Sequence, residues 1–201
     1  MPKIHVVGDS HAYFGWNSIP ETCIHWRGSR LCYSFGVRGD AELVCTFAPG
    51  DFVVFSFGEI DCRCHIRKHI TDSHEPIINS IIEMYFARIT QIVGQLDGIR
   101  TGVYNVLPPA EKAVSKENPE FPFLGSDAER QVYTRYFNDR LRAKCGEFGY
   151  LFVDIYDAYT GPNGCLDSSK SDGIVHIQDP IHLQEFVDKH MKCDSDPNPA
   201  I

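Results

Sequence analysis

Short apolar segments recur along the chain, each bounded by Gly, Asp or Pro, the residues that commonly separate strands. Several segments are apolar at nearly every position, which is typical of strands covered on both faces. Segments of this length and pattern predict buried β-strands. The five that fit are Ile4–Val7, Leu31–Phe35, Phe52–Phe57, Gly102–Leu107 and Tyr150–Val153.

Between the third and fourth of these segments, apolar residues recur at steps of three and four, the period of one helix face. They are Ile77, Ile78, Ile81, Ile82, Tyr85, Ile89, Ile92, Val93 and Leu96. Pro76 suits the first turn of a helix and Gly98 suits its end. The pattern therefore predicts one long helix between them.

Two further helices are predicted in the second half of the chain. One begins at Ser126, because Ser126 and Glu129 have the spacing of a capping box. Its apolar stripe, which stops before Gly149, consists of Val132, Tyr136, Phe137, Leu141, Cys145 and Phe148. The other helix covers about Gln184–Cys193.

Strands that alternate with helices predict right-handed βαβ units and a mainly parallel sheet. We therefore expect a three-layer α/β/α sandwich with a five-stranded, flavodoxin-like sheet, formed as one domain by residues 1–201. In such sheets, ligands bind beyond the carboxyl ends of the strands. Residues Pro108–Gly125 are predicted to form a long loop at the edge of that site, and residues 194–201 a frayed tail.

The net charge of −8 and the lack of a Lys/Arg run argue against a nucleic-acid partner, which requires a basic surface. The N-terminus shows no signal peptide, and no stretch approaches the roughly 20 apolar residues of a membrane span. We therefore expect a cytoplasmic protein without a membrane partner. Its eight cysteines are expected to be mostly buried thiols rather than disulfides. The sequence leaves the oligomeric state open.

Ser10 follows the first predicted strand directly, in the segment Gly-Asp-Ser-His at residues 8–11. A turn from strand to helix would expose its hydroxyl near helix N-terminal amides, where negative charge is favourable. Ser10 is therefore a candidate nucleophile, provided that a neighbouring base accepts its proton. The alternative is that Ser10 only caps the following helix.

Asp179 and His182 lie near the other end of the chain, just before the last predicted helix. Two residues between them let the carboxylate turn back to the imidazole, fix its tautomer and stabilise its protonated form. The pair is a candidate base for Ser10. If this motif stood alone, His182 would be interpreted as a surface or helix-capping histidine. Asp172 and His176 form a second pair with one more residue between them, and His176 is the reserve base.

The two motifs together resemble the SGNH/GDSL hydrolase superfamily. Members carry Gly-Asp-Ser in the first block and Asp-x-x-His in the last, which residues 8–10 and 179–182 match. The resemblance extends in block order over the whole chain and implies an SGNH-hydrolase-like fold. It also implies that Ser10 attacks an ester carbonyl, that His182 accepts the serine proton and that Asp179 orients His182.

The two middle blocks match the family less well. A family glycine after the second strand helps to hold the oxyanion, and Gly39 is the best match, with Gly36 second. The resemblance therefore implies an oxyanion hole formed by the amides of Ser10 and Gly39. The third block, normally Gly-x-Asn-Asp, is Gly-Glu-Ile-Asp at residues 58–61, so Ile60 replaces the asparagine.

Ile60 cannot donate a hydrogen bond to the oxyanion, and loss of one such donor typically costs about 10²–10³ in rate. Other residues near these blocks could support the substrate or the oxyanion instead. They are Gly58, Glu59, Asp61, Arg63, Arg38 and His11. Arginine more often forms a structural ion pair, and Asp9 and Asp61 suit turn-fixing hydrogen-bond acceptors better than catalysts. The string Phe57–Arg63 resembles a divergent branch of SGNH-like proteins that is often associated with glycans.

A short span of the chain also offers thiol and imidazole groups as metal ligands. They belong to Cys62, Cys64, His65, His69 and His74. Structural zinc sites usually bring paired ligands from separate turns with a longer gap. We therefore expect no metal and no cofactor.

Tyr13, Phe14 and Trp16 follow the candidate nucleophile and would suit either the rim of a sugar site or the core. We expect an esterase that acts on a small-molecule or glycan ester, such as an O-acetyl group on a carbohydrate. Acyl transfer to a sugar hydroxyl would use the same residues. A glycan-binding module without turnover is the further alternative.

Overall fold

The computed structural model describes residues 2–39 and 47–192. The predicted tail at residues 194–201 lies outside the described residues, as do Cys45 and Cys193. The six described cysteines are free thiols and five of them are buried, as expected. None of the described helices is long and apolar enough to cross a membrane.

Five parallel strands form one sheet in the order β2-β1-β3-β4-β5. Their bounds are Ile4–Gly8 (β1), Thr22–Trp26 (β2), Phe52–Ser56 (β3), Arg100–Tyr104 (β4) and Leu151–Val153 (β5). Gly8, at the end of β1, is level with Trp26 of β2 and Ser56 of β3. The predicted α/β class with a mainly parallel five-stranded sheet is thus confirmed.

The second strand lies earlier in the chain than the apolar pattern predicts. Residues 31–35, predicted as a strand, instead lie at and within a helix at Cys32–Arg38. Cys32, Phe35 and Gly36 are buried at helical spacing, so the short apolar run is one face of that helix. The true β2 is an edge strand whose residues are only partly covered, so it lacks the continuous apolar run of the central strands.

Within the described residues, six α-helices accompany the strands. Their bounds are Ser10–Tyr13 (α1), Cys32–Arg38 (α2), Ile66–His69 (α3), Glu75–Val93 (α4), Asp127–Phe148 (α5) and Ile181–His190 (α6). Short 3₁₀ turns lie at Trp16–Ser18 and Asp157–Tyr159, and a π-helical turn at Asp61–His65. Helices α4 and α5 confirm the predictions of two long helices, although α4 ends at Val93 rather than at Gly98. Helix α6 spans 181–190 rather than 184–193.

Helix α5 begins and ends at the predicted residues. The Ser126 hydroxyl accepts from the N–H of Glu129, and the Glu129 carboxylate accepts from the N–H of Ser126, so the capping box satisfies two backbone donors. Gly149 ends the helix with a left-handed φ of 68°. The predicted apolar stripe is only partly buried, because Val132 and Phe148 are 50% and 41% exposed.

Two buried clusters, one on each face of the sheet, make the fold a three-layer sandwich. In β3, Val53 and Phe55 belong to one cluster while Phe52 and Val54 belong to the other, as alternation along a strand requires. The first cluster includes residues of α2, α4 and α5, and the second includes residues of α1 and α6. Each large apolar side chain buried in this way contributes about 1.5–3 kcal/mol to stability.

The carboxyl ends of β1, β2 and β3 lie side by side and lead into the predicted site segments. Gly8 is required at this edge, because a Cβ atom there would stand 2.0 Å from the carbonyl oxygen of Ser56. The N–H of Asp9 donates to the same carbonyl at 3.2 Å. The irregular loop at residues 108–125 packs nearby, with the N–H of Lys116 donating to the carbonyl of Gly173 at 3.2 Å.

Candidate active site

Ser10 is the first residue of the short helix α1, directly after its N-cap, Asp9. The completely buried Asp9 carboxylate accepts from the N–H of His11 at 2.8 Å, which fixes the turn that carries Ser10. The N–H of a first helical residue has no acceptor within its own helix. The hydroxyl and the amide of Ser10 therefore both lie at the carboxyl edge of the sheet.

His176 is the imidazole that the structure places against Ser10. Its Nε2 lies 2.9 Å from Ser10 Oγ, and its Nδ1 lies 2.7 Å from Asp172 Oδ2. A carboxylate only accepts hydrogen bonds, so we assign the ring proton to Nδ1, which leaves Nε2 to accept from the serine hydroxyl. Ser10, His176 and Asp172 thus have the relative arrangement of a nucleophile, a base and an orienting acid.

Asp172 also folds the loop that carries His176. Its Oδ1 accepts from the N–H of Ile174 at 2.8 Å and from the N–H of His176 at 3.2 Å, while Oδ2 faces the ring. The three residues between the acid and the histidine therefore form a compact turn. This turn brings the two side chains together across a spacing longer than that of the family motif.

Asp179 and His182 are paired elsewhere. His182 Nδ1 lies 3.0 Å from Glu185 Oε2 on the same helix, and its ring packs edge-on against Tyr159 with 5.5 Å between centroids. Asp179 accepts from the backbone N–H two residues later at 3.0 Å, at the start of α6. The predicted pairing of Ser10 with His182 is therefore wrong, and the reserve base holds that position.

The environment of His176 keeps its ring neutral. Burial, followed by the positive charge of His11, lowers the pKa of His176 to about 4, although the Asp172 carboxylate raises it. The ring of Phe14 stacks on His176 with 4.1 Å between centroids. An imidazole with this pKa is unprotonated at neutral pH, the form that a general base requires.

His11 lies buried beside the nucleophile, with 5% of its surface exposed. Its Nδ1 is 3.2 Å from Asp9 Oδ1, and its Nε2 is 3.1 Å from the carbonyl oxygen of Val175. Its ring centroid is 4.8 Å from that of His176. Both ring nitrogens of His11 face protein atoms, which argues against the predicted role in holding substrate.

Two residues of the third block stabilise the local fold. The fully buried Asp61 accepts from the backbone N–H of Cys32 at 2.6 Å and of Tyr33 at 3.2 Å, so it is a structural acceptor, although it holds the start of α2 rather than its own turn. Burial raises the pKa of Asp61 to about 7, although both N–H groups lower it. Gly58 has a φ of 125°, and a Cβ atom there would meet the Phe137 ring at 2.8 Å.

Glu59 and Arg63 pair with each other. Arg63 Nη2 lies 3.2 Å from Glu59 Oε2, and both side chains are buried. Burial raises the pKa of Glu59, whereas the charge of Arg63 lowers it. The guanidinium carbon of Arg63 also lies 5.7 Å from the ring centroid of Phe123. Arg63 is thus engaged in a structural ion pair rather than directed at a substrate.

The glycines matched to the second block do not supply the predicted oxyanion donor. Gly39 ends α2, and its N–H donates to the carbonyl of Phe35 at 2.8 Å. Gly36 lies inside α2, where a Cβ atom would come within 3.0 Å of the α4 backbone. Arg38 is exposed in the last turn of α2. Of the predicted pair of amides, only that of Ser10 stays a candidate.

The thiol and imidazole groups considered as metal ligands have other contacts. The rings of His65 and His69 lie 4.5 Å apart, and the buried Cys64 donates to a backbone carbonyl at 3.2 Å. Across residues 2–39 and 47–192, no group of three or more His, Cys, Asp or Glu side chains is arranged to hold a metal ion.

Exposed aromatic rings lie near Ser10. Tyr13 and Phe14, at the end of α1, are 44% and 39% exposed, and Trp26, at the end of β2, is 60% exposed. The register of β1 and β2 puts Trp26 beside the strand end that leads to the nucleophile. Trp16 is completely buried, which fits the core alternative given for the three aromatic residues.

No protein-family model and no curated protein matches the sequence. The fold, however, is similar to that of solved structures. The lipase/acylhydrolase from Enterococcus faecalis is 16% identical, with a TM-score of 0.61 and 100% of both chains covered. A GDSL-like lipase from Bacteroides thetaiotaomicron VPI-5482 is 16% identical, with a TM-score of 0.58, covering 93% of this chain and 86% of that one. The acetyl xylan esterase AlAXEase is 16% identical, with a TM-score of 0.58, covering 93% of this chain and 96% of that one.

At these identities the similarity shows the fold. The chain has the fold of GDSL-like lipases and acylhydrolases, and the predicted SGNH-hydrolase-like architecture is confirmed.

Proposed function

We propose that this protein is a serine hydrolase that cleaves ester bonds, with Ser10 as nucleophile, His176 as general base and Asp172 as the residue that orients His176. One observation carries the proposal: Ser10 Oγ lies 2.9 Å from His176 Nε2, with Asp172 Oδ2 2.7 Å from the other ring nitrogen. The fold supports it, because similar structures include a lipase/acylhydrolase and an acetyl xylan esterase.

In the proposed reaction, Ser10 Oγ attacks the ester carbonyl carbon while His176 Nε2 takes the hydroxyl proton. The tetrahedral intermediate carries negative charge on the former carbonyl oxygen, and Asp172 stabilises the imidazolium. The bond to the alcohol oxygen then breaks, and His176 returns the proton to that oxygen. Water, deprotonated by His176, attacks the acyl-serine, which releases the carboxylic acid and restores Ser10.

The proposed site has few donors for the oxyanion. The N–H of Ser10 starts α1 and is free of intrahelical acceptors, so it is the donor that we assign. The side chain of Ile60 is apolar, and the N–H of Gly39 donates to Phe35, so neither group supplies the second donor that the family blocks predict. Since one donor is typically worth about 10²–10³ in rate, we expect slow turnover.

The substrate that we propose is an acyl ester on a carbohydrate, such as an O-acetyl group. Tyr13, Phe14 and Trp26 expose aromatic rings at the edge that carries Ser10. Aromatic faces pack well against the apolar faces of sugars, and the Tyr hydroxyl and Trp N–H can hydrogen-bond. The acetyl xylan esterase AlAXEase shares the fold, which is compatible with this substrate class.

Hydrolysis of p-nitrophenyl acetate by the wild type and by Ser10→Ala tests the reaction. We expect Ser10→Ala to lose at least about 10³-fold in kcat/KM, because the acyl-enzyme cannot form without the hydroxyl. Ser18→Ala, which removes an exposed hydroxyl outside the proposed triad, is the control and is expected to retain the wild-type rate. Equal rates for Ser10→Ala and the wild type would contradict the proposal.

Acetylated xylan in the same assay tests the substrate class. Acetate release that is more efficient from the glycan than from p-nitrophenyl acetate would support a carbohydrate ester. Acetylation of an added sugar in place of acetate release would indicate acyl transfer. Cleavage of p-nitrophenyl acetate without release of acetate from the glycan would support the esterase activity but contradict the carbohydrate substrate.

A further inference from the structure

His11 has a hydrogen-bond acceptor at each of its two ring nitrogens. Asp9 Oδ1 lies 3.2 Å from Nδ1, and the carbonyl oxygen of Val175 lies 3.1 Å from Nε2. Carboxylate and carbonyl oxygens only accept, so both contacts are hydrogen bonds at once when each ring nitrogen carries a proton. The geometry is therefore that of an imidazolium.

The surroundings of His11 favour this charge in spite of its burial. The side chains of His11 and Asp9 are 6% and 1% exposed, so their ion pair is little screened by water. Burial lowers the pKa of His11, but Asp9, Glu59 and the Val175 carbonyl together raise it above its ordinary value.

His11 lies close enough to His176 for its charge to act on that ring. The two ring centroids are 4.8 Å apart, and Val175, which His11 binds, is the residue before His176. The charged groups that face the two rings are Asp9 at the α1 N-cap, Glu59 after β3 and Asp172 in the His176 loop. Arg63 is paired with Glu59.

We propose that His11 is a positioning residue: a buried imidazolium that keeps His176 unprotonated and holds the loop that aims His176 at Ser10. The inference rests on the proposed function, because it concerns the same site. Asp172 alone would favour the protonated form of His176, and a positive charge beside the ring opposes that effect. The site would then keep a working base in mildly acidic solution.

The pH dependence of kcat/KM on p-nitrophenyl acetate tests the charge of His11. In His11→Gln the side-chain amide can still donate to the Val175 carbonyl but carries no charge. We expect the acid limb of its profile, where kcat/KM falls with decreasing pH, to lie about one pH unit or more above that of the wild type. His190→Gln, which changes an exposed histidine on α6, is the matched control and is expected to leave the limb in place.

Nitrogen NMR of the histidine rings tests the same inference in the wild type, so it does not depend on a variant that folds. At pH 6 we expect His11 to be protonated on both ring nitrogens and His176 to be neutral with its proton on Nδ1. A neutral His11 at this pH would overturn the inference.

Failure of the inference can be told apart from failure of the proposed function. If folded His11→Gln keeps the wild-type acid limb while Ser10→Ala is inactive, His11 does not control His176 and the esterase stands. If Ser10→Ala retains full activity, the proposed function fails and the inference about its base fails with it.

Discussion

At the scale of single residues, the protonation state of His176 decides when the site can work. Its ring must be neutral to accept the Ser10 proton, and burial together with the charge of His11 lowers its pKa to about 4. An unperturbed histidine would be half protonated at about pH 6.5. The proposed base therefore stays in its working form well below neutral pH.

We predict that kcat/KM for an ester substrate rises with pH through a midpoint near the His176 pKa of about 4. Protonation of His176 removes the base, so activity is present above this pKa and is lost as the pH falls through it. A pH–rate profile of the wild type measures the midpoint directly. A midpoint at or above the ordinary value of about 6.5 would show that the ring is not held as the structure has it.

The sequence predicts the position of the candidate nucleophile, Ser10, but it favours His182 as the base, whereas the structure has His176 beside Ser10. Asp179 and His182 have the spacing that the family resemblance implies, yet they start a helix on which His182 meets a neighbouring carboxylate. Asp172 reaches His176 because two backbone N–H groups bind its second oxygen and tighten the turn. Residue spacing carries no sign of such a turn, so the second pair could be named only as a reserve.

At the scale of elements, α2 depends on a residue from another part of the chain. Its N-cap position is Leu31, whose side chain cannot accept a hydrogen bond. Asp61, which follows β3, instead accepts from the N–H groups of Cys32 and Tyr33. Asp61 thus stabilises the start of a helix that lies near the site edge.

We predict that Asp61→Ala lowers the free energy of unfolding by about 1–3 kcal/mol, because it leaves the buried N–H of Cys32 and the partly buried N–H of Tyr33 without their acceptor. The raised pKa of Asp61 makes its stabilising contribution largest in acid and smaller as the pH rises through about 7, so the loss should be greater below that pH. Urea denaturation at two pH values measures both effects.

Asp139→Ala is the control for this prediction. The Asp139 side chain is 68% exposed and pairs with Arg142 on the surface of α5. Such a surface pair is worth less than about 1 kcal/mol. If Asp61→Ala costs no more than Asp139→Ala, the account of α2 is wrong.

An element can be predicted from the sequence when its buried face is long enough to show a regular apolar pattern. Helix α4 is predicted because its apolar stripe continues over 19 residues. Strand β2 is missed because an edge strand needs little apolar surface, and α2 is misassigned because a seven-residue helix shows barely two turns of its period.

At the scale of the whole molecule, the parallel sheet brings distant parts of the sequence to one edge. Ser10 follows β1, and His176, 166 residues later, lies in a loop beyond β5. Alternating strands and helices predict this edge, since all parallel strands end there. They do not predict which loops meet above it, because that depends on contacts such as the one between His11 and Val175.

The rate at which a fluorophosphonate labels Ser10 tests the central claim most directly. Mass spectrometry would follow the labelled peptide in the wild type, in His176→Ala and in His182→Ala. We predict that His182→Ala is labelled at the wild-type rate and that His176→Ala is labelled at least about 10²-fold more slowly, because it lacks the base. Slow labelling of His182→Ala with normal labelling of His176→Ala would contradict the account.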